Sequence, residues 1–291
     1  MIEATLLGKR TEYPKEYSPS ILVAVPRHLN REIYGIDSSN LPFVGSDTWH
    51  AYEISWLTDK GMPVVGLLKS VYDASSPFIV ESKSLKLYLN SLNMFQTSPS
   101  DDYGMSEIER IITNDLANIL KAEVSLHIFL ANHTSSALRL THQEYSLLEE
   151  MPECRDTLFT QYTETPTLLK VSNIGGTRNY ITHLLRSNCK ITHQPDWGSM
   201  FIHITSSNLP VPQSLLQYIV SLRGENHFHE EICELVYIRL KEYFNPSELA
   251  VTCIYTRRGG IDICPCRASS QQLLSSALTD ARTLTEKLLR Q

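Results

Sequence analysis

A chain of 291 residues, 42% hydrophobic and 20% charged, has the make-up of an ordinary globular protein and is long enough for one large domain or two smaller ones. A formal net charge of -6 argues against a phosphate-backbone partner, so no nucleic acid is expected. No N-terminal stretch has the layout of a secretory leader, and the uncharged run over residues 197–222 is broken by Pro210, Pro212 and Gln213, so a soluble protein with no membrane span is expected.

Residues 1–45 are rich in Pro, Tyr and Ser without a clear period and read as an irregular arm, with Pro26 and Pro42 as breakers. Strands are expected over 49–56 and 63–71, joined by a turn at Asp59-Lys60-Gly61. Leu85, Tyr88, Leu89 and Leu92 then fall on one face of a helix. Ser106 with Glu109 three residues on has the form of a capping box. It opens a second helix whose apolar face is Ile108, Ile111, Ile112, Leu116, Ile119 and Leu120. Val124, Leu126, Ile128 and Leu130 alternate as a strand.

Residues 132–173 are polar and weakly patterned and read as a linker. After it a strand is expected over 180–187, and Met200, Ile202 and Ile204 alternate on another. Pro212 opens a helix with Leu215, Leu216, Ile219 and Val220 inward. A further helix carries Phe228, Ile232, Leu235, Val236 and Leu240 and stops at Asn245-Pro246. Leu249, Val251, Cys253 and Tyr255 form a strand, and Ile261 and Ile263 begin another after Gly259-Gly260. Both halves thus read strand, strand, helix, helix, strand. The expectation is an α+β protein with antiparallel sheets packed on helix pairs: a module at 1–131 with its irregular arm, a linker at 132–173 and a second module at 174–291.

The six cysteines all lie at or beyond Cys154, which is too lopsided for a disulfide framework; reduced thiols in a cytoplasm are expected. Cys189 stands seven residues ahead of Asp196. A thiolate is a strong nucleophile, and a carboxyl between Pro195 and Trp197 in a shaped, partly desolvated loop can keep a proton to donate. The plain alternative is a strand-end thiol and a turn aspartate.

In His227-Phe228-His229-Glu230-Glu231, Glu230 can accept N–H groups of a ligand with His229 as a proton relay. His229 and Cys233 at i, i+4 could alternatively begin a metal site, and a solvated helix start is the plain reading. No second ligand cluster such as CxxC or HExxH accompanies them, so no metal is expected. Glu81-Ser82-Lys83-Ser84 at a helix start offers free N–H groups, two hydroxyls and a lysine to an anion, with Glu81 as an acceptor, or is simply a cap. Thr256-Arg257-Arg258-Gly259-Gly260 suits phosphate or is a solvated hairpin turn. No GxGxxG or Walker loop is present, and Cys264-Pro265-Cys266 has poor spacing for a metal knuckle.

Four stretches resemble the two-module form of the 7-cyano-7-deazaguanine reductase family, the nitrile oxidoreductases of queuosine biosynthesis. They are residues 81–88 (Glu81 through Tyr88), Ser187-Asn188-Cys189 through Asp196-Trp197-Gly198, Phe228-His229-Glu230, and Tyr255 through Gly260. The resemblance runs from about Pro26 onward. It implies a tandem tunnelling fold similar to GTP cyclohydrolase I, with pockets between modules, and a homodimer is expected from exposed sheet edges. It also implies that Cys189 attacks the nitrile carbon to form a thioimide and that Asp196 supplies the proton to nitrogen. Two NADPH would then deliver two hydrides. Val80, Glu81, Ser82, His229 and Glu230 would hold the deazapurine, and Ser82, Lys83, Arg258 and Gly259 would contact NADPH.

The chain departs from the family pattern at Cys264 and Cys266, where Asn and an aromatic are usual, and at Leu85, where an aromatic is common. These changes bear on the shape of the NADPH pocket. Two other readings fit the residues: a zinc-dependent purine or pterin cyclohydrolase using Cys189, His193 and His229, and a non-catalytic purine-binding module.

Overall fold

A computed structural model describes residues 14, 16–98, 102–131, 137–140 and 144–291. Residues 1–13 and 15 of the expected arm, and 132–136 and 141–143 of the expected linker, lie outside the described residues. In chain order the elements are β1 (Ala24–Pro26), α1 (His28–Arg31), β2 (Val44–Leu57), β3 (Pro63–Asp73), β4 (Phe78–Val80), α2 (Ser82–Ser91), α3 (Met105–Leu120) and β5 (Val124–Leu130). There follow β6 (Ser146–Leu147), β7 (Gly176–Thr182), β8 (Arg186–Cys189), β9 (Pro195–Ser206), α4 (Pro212–Ser221), β10 (Asn226–His227), α5 (His229–Phe244), β11 (Glu248–Tyr255), β12 (Ile261–Ala268) and α6 (Ser276–Thr279).

One ten-stranded sheet carries both halves, in the order β10-β8-β9-β11-β12-β2-β3-β5, with β7 also on β9 and β6 on β7. Every pairing is antiparallel except β10 with β8 and β6 with β7. The α+β class with antiparallel sheets is therefore as the sequence periods indicate. The halves meet where β12 pairs β2, in register from Ile261↔Ala51 to Ala268↔Val44.

Alternation along the strands sends successive side chains to opposite faces. On one face Trp49, Leu68 and Ile128 pack against Leu85, Tyr88, Ile112 and Leu116 of α2 and α3. On the same face of the other half, Met200, Ile202 and Val251 pack against Leu215, Ile219, Leu235 and Val236 of α4 and α5. The intervening residues Phe201, Ile254, Cys264 and Cys266 form a third cluster with Leu278 of the C-terminal segment. That segment is tied across the sheet, because Lys69 Nζ donates to the carbonyls of Ala277 at 2.6 Å and Thr283 at 2.7 Å. Covered on both sides, all eight residues of β12 are buried.

Three expectations need correction. The helix expected at Ser106 starts at Met105 behind Gly104, whose φ of 67° only glycine adopts without strain, and no side-chain cap forms. Glu109 accepts instead from the Ile128 N–H at 2.8 Å and pairs with His127, drawn away by the adjacent strand. The single strand expected over 180–187 is two, β7 and β8, parted at residues 183–185. The arm is not wholly irregular either, since it holds β1 and α1 and sends Arg27 and Arg31 into the interior.

Those arginines belong to a buried ionic cluster beneath the β12–β2 seam. Arg27 and Arg267 pair with Asp47, and Arg31 and Arg267 pair with Glu234, at 2.7 to 3.1 Å for the Glu234 hydrogen bonds and 2.9 Å for Arg267–Asp47. Removing one partner of such a cluster strands a buried charge, which costs about 3–5 kcal/mol. Glu234→Gln should lower the unfolding free energy by about that amount, read from urea midpoints at unchanged m. A loss below about 1 kcal/mol would show that the cluster contributes little to the fold.

Candidate active site

The thiol and the acid sit on one tight hairpin. Ser187 pairs Asp196 and Asn188 pairs Pro195, which places Cys189 opposite Gln194. The Cys189 N–H donates to the Gln194 carbonyl at 2.8 Å, and the His193 N–H to the Cys189 carbonyl at 3.0 Å. His193 closes the turn with φ 55°. Opposed residues share a face of a hairpin, so Ser187, Cys189, Gln194 and Asp196 project to one side, with Cys189 and Asp196 as diagonal neighbours. β10 lies parallel to β8, His227 beside Cys189, and so delivers Phe228, His229 and the first turn of α5 to the same place.

The ten residues that the resemblance assigns to catalysis, substrate or cofactor all line one cavity of about 290 Å³: Val80, Glu81, Ser82, Lys83, Cys189, Asp196, His229, Glu230, Arg258 and Gly259. The first four come from β4 and the start of α2 and the rest from the second half, brought together by the β12–β2 seam. Trp49, Ile261 and Ile263 line the apolar wall at that seam.

The charges in the cavity are sharply differentiated. Glu230 is 3% exposed and its Oε1 has no hydrogen-bond partner. Burial, and next the negative charge of Asp47, push its carboxyl up to about 7. Asp196 is 2% exposed, yet it behaves in the opposite way. Burial would raise its pKa, but His229, with Nε2 at 3.4 Å, and the guanidinium of Arg258 outweigh that and hold the carboxyl below its usual range. A proton kept on Asp196 by desolvation is thus not what this arrangement gives; its cation partners keep it ionised. The His229 ring packs on Tyr255 with centroids 3.9 Å apart.

Glu81 is the N-cap of α2, its Oε1 accepting from the Lys83 N–H at 3.1 Å and its Oε2 from the Ser84 N–H at 2.7 Å. The helix start read from the sequence as open to an anion is therefore filled by the chain's own carboxylate. Arg258 flanks a two-residue hairpin loop, bonded to Ile261 in both directions at 2.9 and 3.1 Å. Gly259 and Gly260 have φ of 56° and 77°, the backbone that a type I′ turn demands.

His229 and Cys233 do not form a ligand pair, because the Cys233 sulfur turns into the core towards the carbonyls of Val251 and Pro265. Nor do Cys189, His193 and His229 cluster: His193 bonds Asn226 Oδ1 at 2.7 Å outside the cavity lining. Among the described residues, the group with metal-ligand spacing is His50, Asp262 and Cys264, where the Lys287 ammonium already sits 2.9 Å from Asp262. Cys264 and Cys266 are buried in the third cluster on the far face of β12, and Leu85 lies in the core under α2, so none of the three departures lines the cavity.

Sequence reading gave no role to Trp49, Lys86, Thr192 and Gln194, which also line the cavity. Gln194 becomes visible only once the hairpin sets it opposite Cys189; Trp49 and Lys86 come from elements read only for their core faces.

The Glu230 carboxyl ionises near 4.5 when unfolded but near 7 when folded, so between these pH values the native state holds the extra proton and stability falls as pH rises. Relative to wild type, Glu230→Gln should gain up to about 3 kcal/mol on going from pH 4.5 to 8 without ligand. Parallel stability–pH curves for the two proteins would contradict this.

A family model described as "Nitrile reductase, 7-cyano-7-deazaguanine-reductase N-term" matches residues 13–128, and one described as "QueF-like protein" matches residues 195–273. An NADPH-dependent 7-cyano-7-deazaguanine reductase of Colwellia psychrerythraea is 38% identical over 273 residues, 90% of this chain and 91% of that protein. The namesake from Psychrobacter cryohalolentis is 39% identical over 293 residues, 92% and 95% of the two chains. That of Coxiella burnetii is 38% identical over 269 residues, 92% of each. With the resemblance running through both halves and across nearly the whole length, the chain belongs to the 7-cyano-7-deazaguanine reductase family.

Proposed function

We propose that this protein reduces the nitrile of 7-cyano-7-deazaguanine to the aminomethyl group of 7-aminomethyl-7-deazaguanine with two NADPH, a step of queuosine biosynthesis. The observation that carries the reading is the convergence of a thiol, an ionised acid and a buried carboxyl with one unpartnered oxygen on one cavity, in a chain whose relatives bear that activity by name. Glu230 wants N–H donors, and the pyrimidine edge of a deazaguanine presents them. His229 and the apolar wall of Trp49 and Ile263 flank it. Val80, Glu81 and Ser82 complete the base pocket in this reading, Glu81 using lone pairs left free by its capping bonds.

The Cys189 sulfur bonds to the nitrile carbon, and the thiol proton reaches the nitrogen through Asp196, giving a thioimide with no net redox change. Ser82, Lys83, Arg258 and Gly259 in the cavity lining fit a phosphorylated dinucleotide, two of them cationic and the glycine letting a ligand approach the backbone. Bound NADPH supplies hydride twice, the four electrons separating nitrile from primary amine. After the first reduction the carbon–sulfur bond breaks and Cys189 leaves as thiolate. His229, beside Asp196, holds a proton for the nitrogen in the second.

The two halves are further proposed to be tandem tunnelling-fold modules at 1–131 and 174–291 joined by 132–173, supported by the helix pairs α2–α3 and α4–α5 on one sheet face. A cytoplasmic location is supported by six free cysteines. No helix among the described residues is long and apolar enough to cross a membrane.

Mixed with the nitrile, the protein should oxidise two NADPH per nitrile consumed, followed by absorbance. Cys189→Ala should show no oxidation, and Asp196→Asn a rate about 10²–10⁴-fold lower. A Cys189→Ala variant that still turns over, or a wild type that does not, would reject the reading. A homodimer, proposed from the open edge of β5, should sediment at twice the chain mass; a monomer at micromolar concentration would reject it.

A further inference from the structure

Arg258 holds two groups of the nucleophile hairpin at once. Its Nη1 pairs with Asp196 Oδ1 and its Nη2 donates to Gln194 Oε1, so the guanidinium bridges from the β11–β12 turn to the strand that carries the acid. The two partners differ in freedom: the Asp196 side chain is 3% exposed and that of Arg258 35%. The acid is buried, whereas the more exposed arginine lines the cavity together with Lys83 and Lys86. The other groups facing Asp196 are His229 from α5, Tyr255 from β11 and, diagonally across the hairpin, Cys189 from β8. Of these neighbours, Arg258 is the one a phosphate could withdraw without disturbing a buried element.

The geometry points to Arg258 as a positioning residue that alternates between two anions: Asp196 in the free enzyme, and the phosphate of the dinucleotide once it arrives, so that cofactor arrival releases the acid. This rests on the function proposed above and extends it. With the guanidinium in place, Asp196 is a carboxylate able to accept the Cys189 proton and pass it to the nitrile nitrogen as the carbon–sulfur bond forms, a step that needs no reductant. With the guanidinium withdrawn, one of the two neighbours that lower the Asp196 pKa is lost and the buried carboxyl shifts towards the protonated form, the form needed while nitrogen is being reduced. One side chain thereby couples occupancy of the cofactor site to the protonation state of the acid.

The test follows adduct formation from the nitrile alone by intact mass, as a function of pH, with four samples. These are wild type, wild type saturated with NADP⁺ (which delivers no hydride), Arg258→Ala, and Arg258→Ala with NADP⁺, saturation being checked by fluorescence titration. At the midpoint of the wild-type acidic limb, NADP⁺ and Arg258→Ala should each slow adduct formation about tenfold or more. NADP⁺ should add nothing to Arg258→Ala, and Arg258→Lys should restore part of the wild-type profile. An unmoved acidic limb in Arg258→Ala, or an NADP⁺ effect as large in the variant as in wild type, would overturn the proposal. A wild type that forms no adduct at any pH would overturn the thioimide reading itself, and this inference with it.

Discussion

The pairing of β12 with β2 is the contact on which the site depends. Eight residue pairs join the two halves into one sheet, and that junction sets the start of α2 opposite the hairpin of Cys189 and Asp196. Neither half holds the cavity alone, since its lining draws on both. The ionic cluster of Arg27, Arg31, Asp47, Glu234 and Arg267 locks the same junction from beneath. Charged partners demand specific geometry where apolar packing would accept slippage, and a slip of one residue in β2 would turn Trp49 away from the cavity.

The cluster also reaches into the chemistry. Asp47, fully buried and ionised against two arginines, lies close enough to Glu230 to help suppress its ionisation. A buried carboxyl lining the cavity is therefore held above its usual range in part by a charge whose primary task is structural. Two carboxyls within one cavity thus shift in opposite directions, because at Glu230 burial dominates with Asp47 adding to it, whereas at Asp196 His229 and Arg258 outweigh burial, a separation of the kind that assigns roles in acid–base chemistry.

Much of this was legible in the sequence because it depended on short-range patterns. The strand and helix faces followed their periods, and the thiol, acid, helix start and glycine turn stood in stretches short enough to recognise. The unreadable parts depended on distant partners. Glu109 looks like a capping residue until β5 lies alongside α3 and takes its carboxylate. Arg27 and Arg31 sit in an arm without periodicity, and only the fold shows that Asp47 and Glu234 await them. The Asp196 loop was readable as buried but not as ionised, since Arg258 lies 62 residues further on.

At the centre is the claim that Cys189, and no other thiol, captures the nitrile carbon within this cavity. Peptide mapping of the protein after incubation with 7-cyano-7-deazaguanine tests it directly, because the other five cysteines are buried and Cys189 alone is half-exposed. The expected result is a single added nitrile mass on the peptide containing Cys189, lost in Glu230→Gln, whose base pocket is impaired. Label on any other cysteine, or none on Cys189 in protein that turns over, would contradict the account.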